Sequence, residues 1–481
     1  MKVAFIVLLC LSGFFPAFGQ KDHIASQVIY NPGQLREDFK LTRQLLETMH
    51  PALYDFVPKD RLDQIFDSTA ALLDRDMTAL DFFRLLSPIV SGLGCGHTGV
   101  GLPSREAEYI RQFFPFKLKF LGSKAYITGA EGNTADLAGA EVLSINHVSV
   151  AEISNELFKH ISTDGISESN RYMYLDKKFD VYYALHIAQP DTFELSVRMP
   201  GKPDFIERLP AATRRANGPE AGLTKPQRAS PFYMSMPEPR VAVLTIDLFY
   251  KEGKKEHHDS TYRAFLDSCF SVLKKEKVKN LVIDLRQNAG GYGTWGAWLY
   301  AYLVKEPFHY YADAVAATDQ ELPFIQYTDW KQDEYREYVK DIVRTPSGGY
   351  RWPVHDNLKL QQPQAKSFTG PVYVLIGRKS FSTTAEFCAI AHSNKRATFI
   401  GEETGGGYYS INGGDMMEMV LPNTRVKLGI PMRKYLLAVR DYPHRGHGTI
   451  PDYTVIPSIE DLSGGIDTEM NFTLELIRKN R

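Results

Sequence analysis

The chain has 481 residues, more than one hydrophobic core accommodates, so two or three domains are expected. Hydrophobic residues make up 43% and charged residues 23%, which is typical of a globular protein with substantial cores. Lysine and arginine together number 56, and aspartate and glutamate 57; this balance argues against a general nucleic-acid binder and against electrostatic membrane binding.

The N-terminal stretch "MKVAFIVLLCLSGFFPAFGQ" has the pattern of a secretory signal peptide. Lys2 precedes an apolar run, and the small residues Ala17 and Gly19 stand just before Gln20, so we predict a signal peptide over residues 1–19 that is cleaved after Gly19. An uncleaved anchor is the alternative, but the apolar run is short for a membrane span. We therefore expect an exported protein of a bacterial cell envelope, periplasmic or secreted, with no integral membrane segment in the mature chain.

The mature chain keeps three cysteines, Cys95, Cys269 and Cys388. An odd number leaves at least one thiol unpaired, and the spacing suits neither a disulfide framework nor a zinc site. An exported protein with few cysteines fits a large-cored enzyme. No metal site is predicted.

Residues 25–103 are predicted to form a helical domain, because apolar residues recur there at helical spacing. In "NPGQLREDFKLTRQLLETMHP" the apolar face contains Leu35, Phe39, Leu46 and Met49, with Thr42 between them. Thr78 is the expected cap of the helix in "TALDFFRLLSPIVSGL". The domain ends in the glycine-rich loop "GLGCGHTGVGLP", which contains His97.

Residues 110–203 change to short alternating strands, as in "FPFKLKFLG" and "TFELSVRM". Within them, "LAGAEVLSINHVSV" followed by the amphipathic "AEISNELFKHI" resembles the peptide-binding module called PDZ. The alternative is any small β-rich packing domain. Residues 204–229 are polar and contain proline and glycine, so we predict a linker or long loop there.

Residues 230–481 alternate apolar strands with helices, which predicts βαβ units and a largely parallel, buried sheet. The strands are "RVAVLTIDLF", "KNLVIDLR", "GPVYVLIG" and "RATFIGEET". An aromatic and polar interval at 307–367 interrupts this alternation, and insertions of this length are often lids or substrate-facing loops.

The stretch "KSFSTTAEFCA" lies where a predicted strand turns into a helix, an edge at which α/β folds place their sites. Ser382 would stand just before the first helical turn, whose free N–H groups favour negative charge. The N–H of Thr383 would help to bind an oxyanion. The alternative is purely structural, since Thr383 followed by Glu386 is the pattern of a capping box.

Two glycine-rich loops are candidates to complete such a site. In "KNLVIDLRQNAGGYGTWG" the glycines match a dinucleotide-binding pattern only weakly, because "RQNA" separates them from the strand and no acidic residue follows at the expected spacing. A tight turn or an oxyanion loop also explains them. In "GLGCGHTG", glycines surround His97 and leave its ring free to enter a cleft, where it could serve as the base that a serine nucleophile needs. A Cys95–His97 pair is a less favoured alternative.

Taken in order, these loops resemble the tail-specific, or C-terminal processing, serine peptidases, including the tricorn protease core. The resemblance rests on "GHT", "LVIDLRQNAGG", "VYVLIGRKSFSTTAEF", "ATFIGEETGGG" and "GTIPDYTV". It implies an α/β multidomain protein with a crotonase-like α/β catalytic core, an N-terminal helical domain and a PDZ-like β-rich domain.

The resemblance also implies roles for individual residues. Ser382 matches the nucleophile, and the Gly290 and Thr383 amides match the oxyanion hole. Gly407 stands where the processing peptidases have a lysine base, which excludes a Ser–Lys dyad, and His97 matches the histidine of the tricorn-like branch. That branch orients its histidine through a serine and a glutamate.

In this sequence the orienting serine and glutamate are both missing. Gly96 stands at the serine position, and Arg445 stands where the acid is expected. Asp441, Glu402 and Glu403 remain candidates for the orienting group.

The function implied is hydrolysis of peptide bonds by an exported serine peptidase that needs no cofactor. Its partner would be a peptide or protein, captured at its C-terminus by strand addition to the PDZ-like domain. The alternatives are a non-catalytic ligand-binding relative, an esterase or amidase with the same Ser–His pair and, more remotely, a nucleotide-binding protein. The oligomeric state is left open.

Overall fold

The computed structural model describes residues 27–130, 137–213, 230–250 and 255–480. The predicted signal peptide and residues 214–229 of the predicted linker lie outside the described residues. The N-terminal part contains strands β1 (Ile29–Tyr30), β2 (Met77–Thr78) and β3 (Gly99–Gly101), and helices α1 (Pro32–Met49), α2 (Lys59–Ala71), α3 (Ala79–Gly92) and α4 (Ser104–Ala107).

The middle part contains eight strands and two helices among the described residues. They are β4 (Gln112–Phe113), β5 (Phe116–Leu121), β6 (Lys124–Ala130), β7 (Glu141–Ile145), β8 (Val148–Ser149), α5 (Val150–Phe158), α6 (Ser169–His186), β9 (Thr192–Arg198), β10 (Phe205–Pro210) and β11 (Ala212–Thr213).

The C-terminal part alternates strands and helices. Its strands are β12 (Phe232–Glu238), β13 (Val241–Ile246), β14 (Asn280–Asp284), β15 (Tyr311–Ala316), β16 (Val343–Arg344), β17 (Tyr350–Arg351), β18 (Val372–Ile376), β19 (Thr398–Gly401), β20 (Ser410–Val420), β21 (Lys427–Leu437) and β22 (Tyr453–Thr454). Its helices are α7 (Lys255–Lys275), α8 (Gly293–Ala301), α9 (Gln332–Val339), α10 (Thr383–Ser393), α11 (Ile459–Ser463) and α12 (Thr468–Lys479).

The N-terminal helices form as the sequence predicts. The Asn31 side chain caps α1 by accepting from the Gln34 N–H, and the Gln34 side chain accepts from the Asn31 N–H in return. Thr78 caps α3, which confirms the prediction. The face predicted to be apolar is the buried face of α1.

The helical part does not have a core of its own. Its buried leucines and phenylalanines form one cluster with residues of the β20–β21 hairpin, among them Met417, Leu428 and Ile430. Strand β3 also pairs antiparallel with β21, opposite residues 427–429. Because His97 lies two residues before β3, this pairing holds its loop against the C-terminal part.

The middle part is built on an antiparallel sheet in the order β10-β9-β7-β6-β5, with α5 and α6 packed beside it. Two expectations are corrected here. Residues 205–210, predicted to be linker, form β10 and pair along the whole of β9, and β11 pairs with β4. Helix α6 occupies a stretch where only strands and loops were expected.

The C-terminal part contains a six-stranded sheet in the order β12-β13-β14-β18-β19-β22. All pairs in it are parallel except β12–β13, which confirms the predicted βαβ pattern. One face packs on α7, α8 and α10, and the other on α12. The 307–367 insertion is not a simple loop, because its strand β15 pairs with both β17 and β21 in a second sheet.

The chain is thus a mixed α/β multidomain protein with several sheets. None of the described helices is long and apolar enough to cross a membrane.

Candidate active site

Ser382 occupies the sharp turn between β18 and α10, at the carboxyl edge of the parallel sheet. Its backbone has φ 51° and ψ −128°, a left-handed conformation that is strained for a residue with a side chain. Such strain, on the order of 1–3 kcal/mol, persists only where the surroundings enforce it and is concentrated at functional sites. Two residues before the turn, the Ser380 hydroxyl donates to the Leu285 carbonyl (2.9 Å) and the Ser380 carbonyl accepts from the Gly405 N–H (2.9 Å), so the chain entering the turn is held on both sides.

The capping box expected for Thr383 and Glu386 is wrong. The N-cap residue of α10 is Ser382, and its side chain makes no capping bond. The Thr383 hydroxyl donates instead to the Gly291 carbonyl at 2.9 Å, and the Glu386 carboxylate accepts from the Tyr311 hydroxyl at 2.9 Å. The Ser382 hydroxyl is therefore not consumed by the helix start.

The structure brings His97 to Ser382 across 285 residues of sequence, with Nε2 3.3 Å from Oγ. Burial of the imidazole lowers the pKa of His97 to about 4, so the ring is neutral at neutral pH. A neutral ring whose Nε2 accepts from the serine hydroxyl carries its hydrogen on Nδ1. Within the described part of the chain, buried Nδ1 has no hydrogen-bond partner.

The loop around His97 is anchored on both sides. Next to it, the Thr98 hydroxyl lies 2.7 Å from Nε2 of the buried His50, whose Nδ1 accepts from the Ala52 N–H. Before it, the Gly94 carbonyl accepts from the Gly165 N–H at 2.9 Å. His50 was not identified from the sequence, because it lies at the end of a helix in another segment and nothing local marks it.

None of the three acidic residues considered for orienting His97 does so. Asp441 accepts from the Tyr409 hydroxyl (2.9 Å), and Glu402 forms an ion pair with Arg378 (2.8 Å). Glu403 accepts from the Gly448 N–H at 2.9 Å and lies 3.1 Å from Nδ1 of His447. Each carboxylate is engaged elsewhere.

The predicted oxyanion loop lies directly against Ser382. A Cβ added to Gly290 (φ 108°) would stand 2.7 Å from the serine Cβ, so only glycine fits this approach. The Gly290 N–H, however, donates to Asn288 Oδ1 at 2.9 Å in this structure. The Thr383 N–H belongs to the first turn of α10, where amides lack intrahelical acceptors.

The neighbouring glycine, Gly291, was not singled out as an oxyanion donor from the sequence. Phe249 pairs with the peptide groups on either side of it, through the Gly290 carbonyl and the Tyr292 N–H. The Gly291 carbonyl faces the serine turn and accepts from the Thr383 hydroxyl.

The other glycines of the weak dinucleotide pattern are explained by packing. A Cβ at Gly293 or Gly296 would stand 2.5 Å from the hydroxyl of Tyr311 or Tyr310, respectively. Burial raises the pKa of Cys95 to about 12, which argues against a thiolate partner for His97. Cys95, Cys269 and Cys388 are all buried and free, and the described residues contain no cluster of three potential metal ligands.

Comparison with known proteins supports the same interpretation. Residues 240–455, which include Ser382 and the oxyanion loop, match peptidase family S41. This match supports the assignment of the chain to peptidase family S41. It also supports a serine peptidase activity, whose substrate would be a peptide or protein.

Solved structures resemble the whole chain and not only the matched region. A structure of mature CPAF complexed with lactacystin has a TM-score of 0.63 at 14% identity, covering 93% of this chain and 99% of its own. A second structure of mature CPAF has a TM-score of 0.60 at 14% identity, covering 89% of this chain and 94% of its own. At this identity the similarity shows a shared fold. No curated protein matches the sequence.

Proposed function

We propose that this chain is an exported serine peptidase that hydrolyses peptide bonds through an acyl-enzyme on Ser382, with His97 as general base. The observation that carries the proposal is the 3.3 Å separation between His97 Nε2 and Ser382 Oγ at a strained strand-to-helix turn. Nothing in packing alone requires a half-buried neutral histidine to meet a serine in a left-handed conformation.

In the first half-reaction Ser382 Oγ bonds to the carbonyl carbon of the substrate while its proton moves to His97 Nε2. The C–N bond then breaks, and Nε2 returns the proton to the leaving amine. In the second half, water adds to the acyl carbon and gives a proton to Nε2. The carboxyl product leaves, and Ser382 Oγ regains its proton.

The negative charge on the intermediate needs amide donors close to Ser382. The Thr383 N–H at the start of α10 is one, and the Gly290 N–H is the other implied by the family resemblance. Because Asn288 occupies the Gly290 amide here, that donor serves only if the side chain of Asn288 turns away. The Gly291 N–H, on the residue whose carbonyl already faces the serine turn, is the alternative donor.

The finer architecture belongs to the same proposal. The parallel sheet with its serine turn is a crotonase-like core, and the middle sheet with α5 is a PDZ-like domain that captures a C-terminal peptide. Peptide substrates with a free carboxyl terminus should then be cleaved faster than the same peptides with an amidated terminus. Equal rates would remove C-terminal recognition from the proposal.

A non-catalytic relative is the second candidate, and one observation favours it: Nδ1 of His97 lacks an orienting partner among the described residues. A fluorophosphonate probe, which labels activated serines, separates the two. We expect labelling that is lost in Ser382→Ala and kept in Ser393→Ala, a serine at the other end of α10. Absence of labelling of the folded wild-type chain would favour the ligand-binding relative.

A further inference from the structure

Asp164 lies in a short segment of the middle part, residues 164–170, that contacts three loops around the candidate site. The Gly165 N–H donates to the Gly94 carbonyl and the Ile166 N–H to the Gly446 carbonyl, both at 2.9 Å. The Ser169 hydroxyl donates to the Glu403 carbonyl at 2.6 Å. The segment thus joins the histidine loop to loops of the C-terminal part.

The carboxylate of Asp164 makes the most direct of these connections. Oδ1 accepts from the Gly96 N–H at 2.7 Å, and Oδ2 accepts from the Gly407 N–H at 3.2 Å. Gly96 immediately precedes His97. Gly407 follows Gly406, which lies against Ser382, since a Cβ on Gly406 would stand 3.1 Å from the Ser382 nitrogen.

Burying a charged carboxylate between two loops is energetically unfavourable in this environment. Asp164 is 5% exposed, and among the described residues its carboxylate bonds two backbone amides and not a lysine or arginine. Burial raises the pKa of Asp164 to about 6, although the Gly96 and Gly407 amides oppose that rise. An asparagine would avoid the buried charge, but it would place an NH2 donor where one of the two carboxylate oxygens now accepts from a backbone amide. The residue present is therefore the one that ties both loops together.

We propose that Asp164 is a positioning residue that fixes the histidine loop against the serine turn by bridging the Gly96 and Gly407 amides. The proposal rests on the Ser382–His97 function proposed above. No acidic side chain among the described residues accepts from His97 Nδ1, so the position of the imidazole depends on how its loop is held. A displacement of about 1 Å in such a pair can lower the rate by about 100-fold.

The test compares rates of fluorophosphonate labelling of the full chain in Asp164→Asn and in a matched control. Asp176→Asn is the control, because Asp176 also accepts from a backbone N–H (that of Phe120, at 2.7 Å) but lies in α6 within the middle part. We expect the labelling rate to fall by about 10-fold to 100-fold in Asp164→Asn and to change little in Asp176→Asn.

A double-variant cycle separates positioning from a general structural effect. If Asp164 acts through His97, adding Asp164→Asn to His97→Ala should change the residual labelling rate by no more than about twofold. A loss in the His97→Ala background as large as in the wild type would overturn the proposal. So would an unchanged rate in folded Asp164→Asn.

The same experiment distinguishes failure of this inference from failure of the function beneath it. If His97→Ala labels as fast as wild type, or Ser382→Ala still labels, the Ser–His pair itself is refuted. Should Asp164→Asn not fold, Asp164→Ser offers a smaller acceptor for one amide and is judged by the same cycle. Thermal unfolding of each variant establishes that the folded chain is compared.

Discussion

The ring of Phe381 lies against the imidazole of His97, with their centroids 4.6 Å apart and their planes 25° from parallel. Phe381 immediately precedes Ser382, so the turn that carries the candidate nucleophile also supports the candidate base. Stacking of this kind restricts the tilt of the imidazole, although Nδ1 has no hydrogen-bond partner among the residues that the structure describes. The orientation of His97 therefore depends on packing as well as on the bridge made by Asp164.

Replacing Phe381 with leucine should lower catalysis more than it lowers stability. Leucine keeps apolar contact but removes the flat face on which the imidazole rests, and we expect kcat to fall by about tenfold with little change in KM. Phe265→Leu is the control, because its ring is also partly buried and lies 4.6 Å from another aromatic ring, that of Phe232. Equal losses in both variants would show that the ring of Phe381 has no special role.

Adding a methyl group at Gly96 should displace the same histidine. A Cβ there would stand 2.8 Å from Cζ of Phe381, closer than carbon atoms approach, so in Gly96→Ala either the loop or the Phe381 ring that stacks on His97 must shift. At Gly99, the first residue of β3 and two residues after His97, a Cβ meets nothing within 4 Å, and Gly99→Ala is the matched control. We expect labelling of Ser382 to drop by about tenfold or more in Gly96→Ala only. Similar rates in the two variants would contradict the close packing of Phe381 on the loop.

The pH dependence of labelling should show two steps. His97 must be neutral to accept the serine proton, and because its pKa is lowered to about 4, protonation removes activity only near that pH. The pKa of Asp164 is raised to about 6. As the pH falls through that value, Asp164 becomes protonated and loses one acceptor, so the rate should fall in a first step that lies above the His97 step. In Asp164→Asn only the lower step should remain. A step close to the ordinary histidine value of about 6.5 in that variant would contradict the lowered pKa of His97.

Glu386 should make the folded state less stable as pH rises. Burial raises its pKa to about 7, above the value of an unfolded glutamate, so its stabilising protonated form is lost as pH rises through that value. Glu386→Gln removes the charge and keeps an acceptor for the Tyr311 hydroxyl. We expect it to raise the free energy of unfolding by on the order of 2 kcal/mol at about pH 8, and by little at about pH 4. Denaturant titrations at both pH values measure this difference. An equal effect of Glu386→Gln at the two pH values would refute the assignment.

Local patterns in the sequence were sufficient to predict the elements that carry Ser382 and His97. Strands β13, β14, β18 and β19 are largely apolar, as strands of a buried parallel sheet are, and Ser382 lies in the turn that follows β18. The strain at Ser382 was not predictable, because a positive φ at a serine follows from tertiary contacts and not from the local sequence.

The parts that were missed lack a simple periodicity or depend on distant contacts. Helix α6 packs aromatic residues on several faces, so it shows no single apolar stripe, and it is kinked at Lys178. Strand β10 lies at a sheet edge with only half-buried and exposed residues, a pattern shared with linkers. Asp164 lies in a polar loop, and only its contacts with two remote glycine amides distinguish it from other acidic loop residues.

The last prediction concerns acid stability at the contact between α3 and the middle part. The rings of His160 and His186 stack with centroids 3.8 Å apart, and the Ser87 hydroxyl of α3 lies 2.7 Å from His160 Nδ1. Burial lowers both pKa values, that of His186 to about 2 with a further contribution from the neighbouring His160. Folded pKa values below the unfolded value mean that stability is present above about pH 6.5 and is lost as pH falls.

A phenylalanine at position 186 keeps the stack on His160 and removes one titrating group. We therefore expect His186→Phe to lose less stability than wild type between about pH 7 and pH 5, measured by thermal unfolding. His309→Phe is the control, because His309 is exposed and should leave the pH dependence unchanged. If wild type and His186→Phe lose the same stability on acidification, the stacked pair is not the acid-sensitive element of this contact.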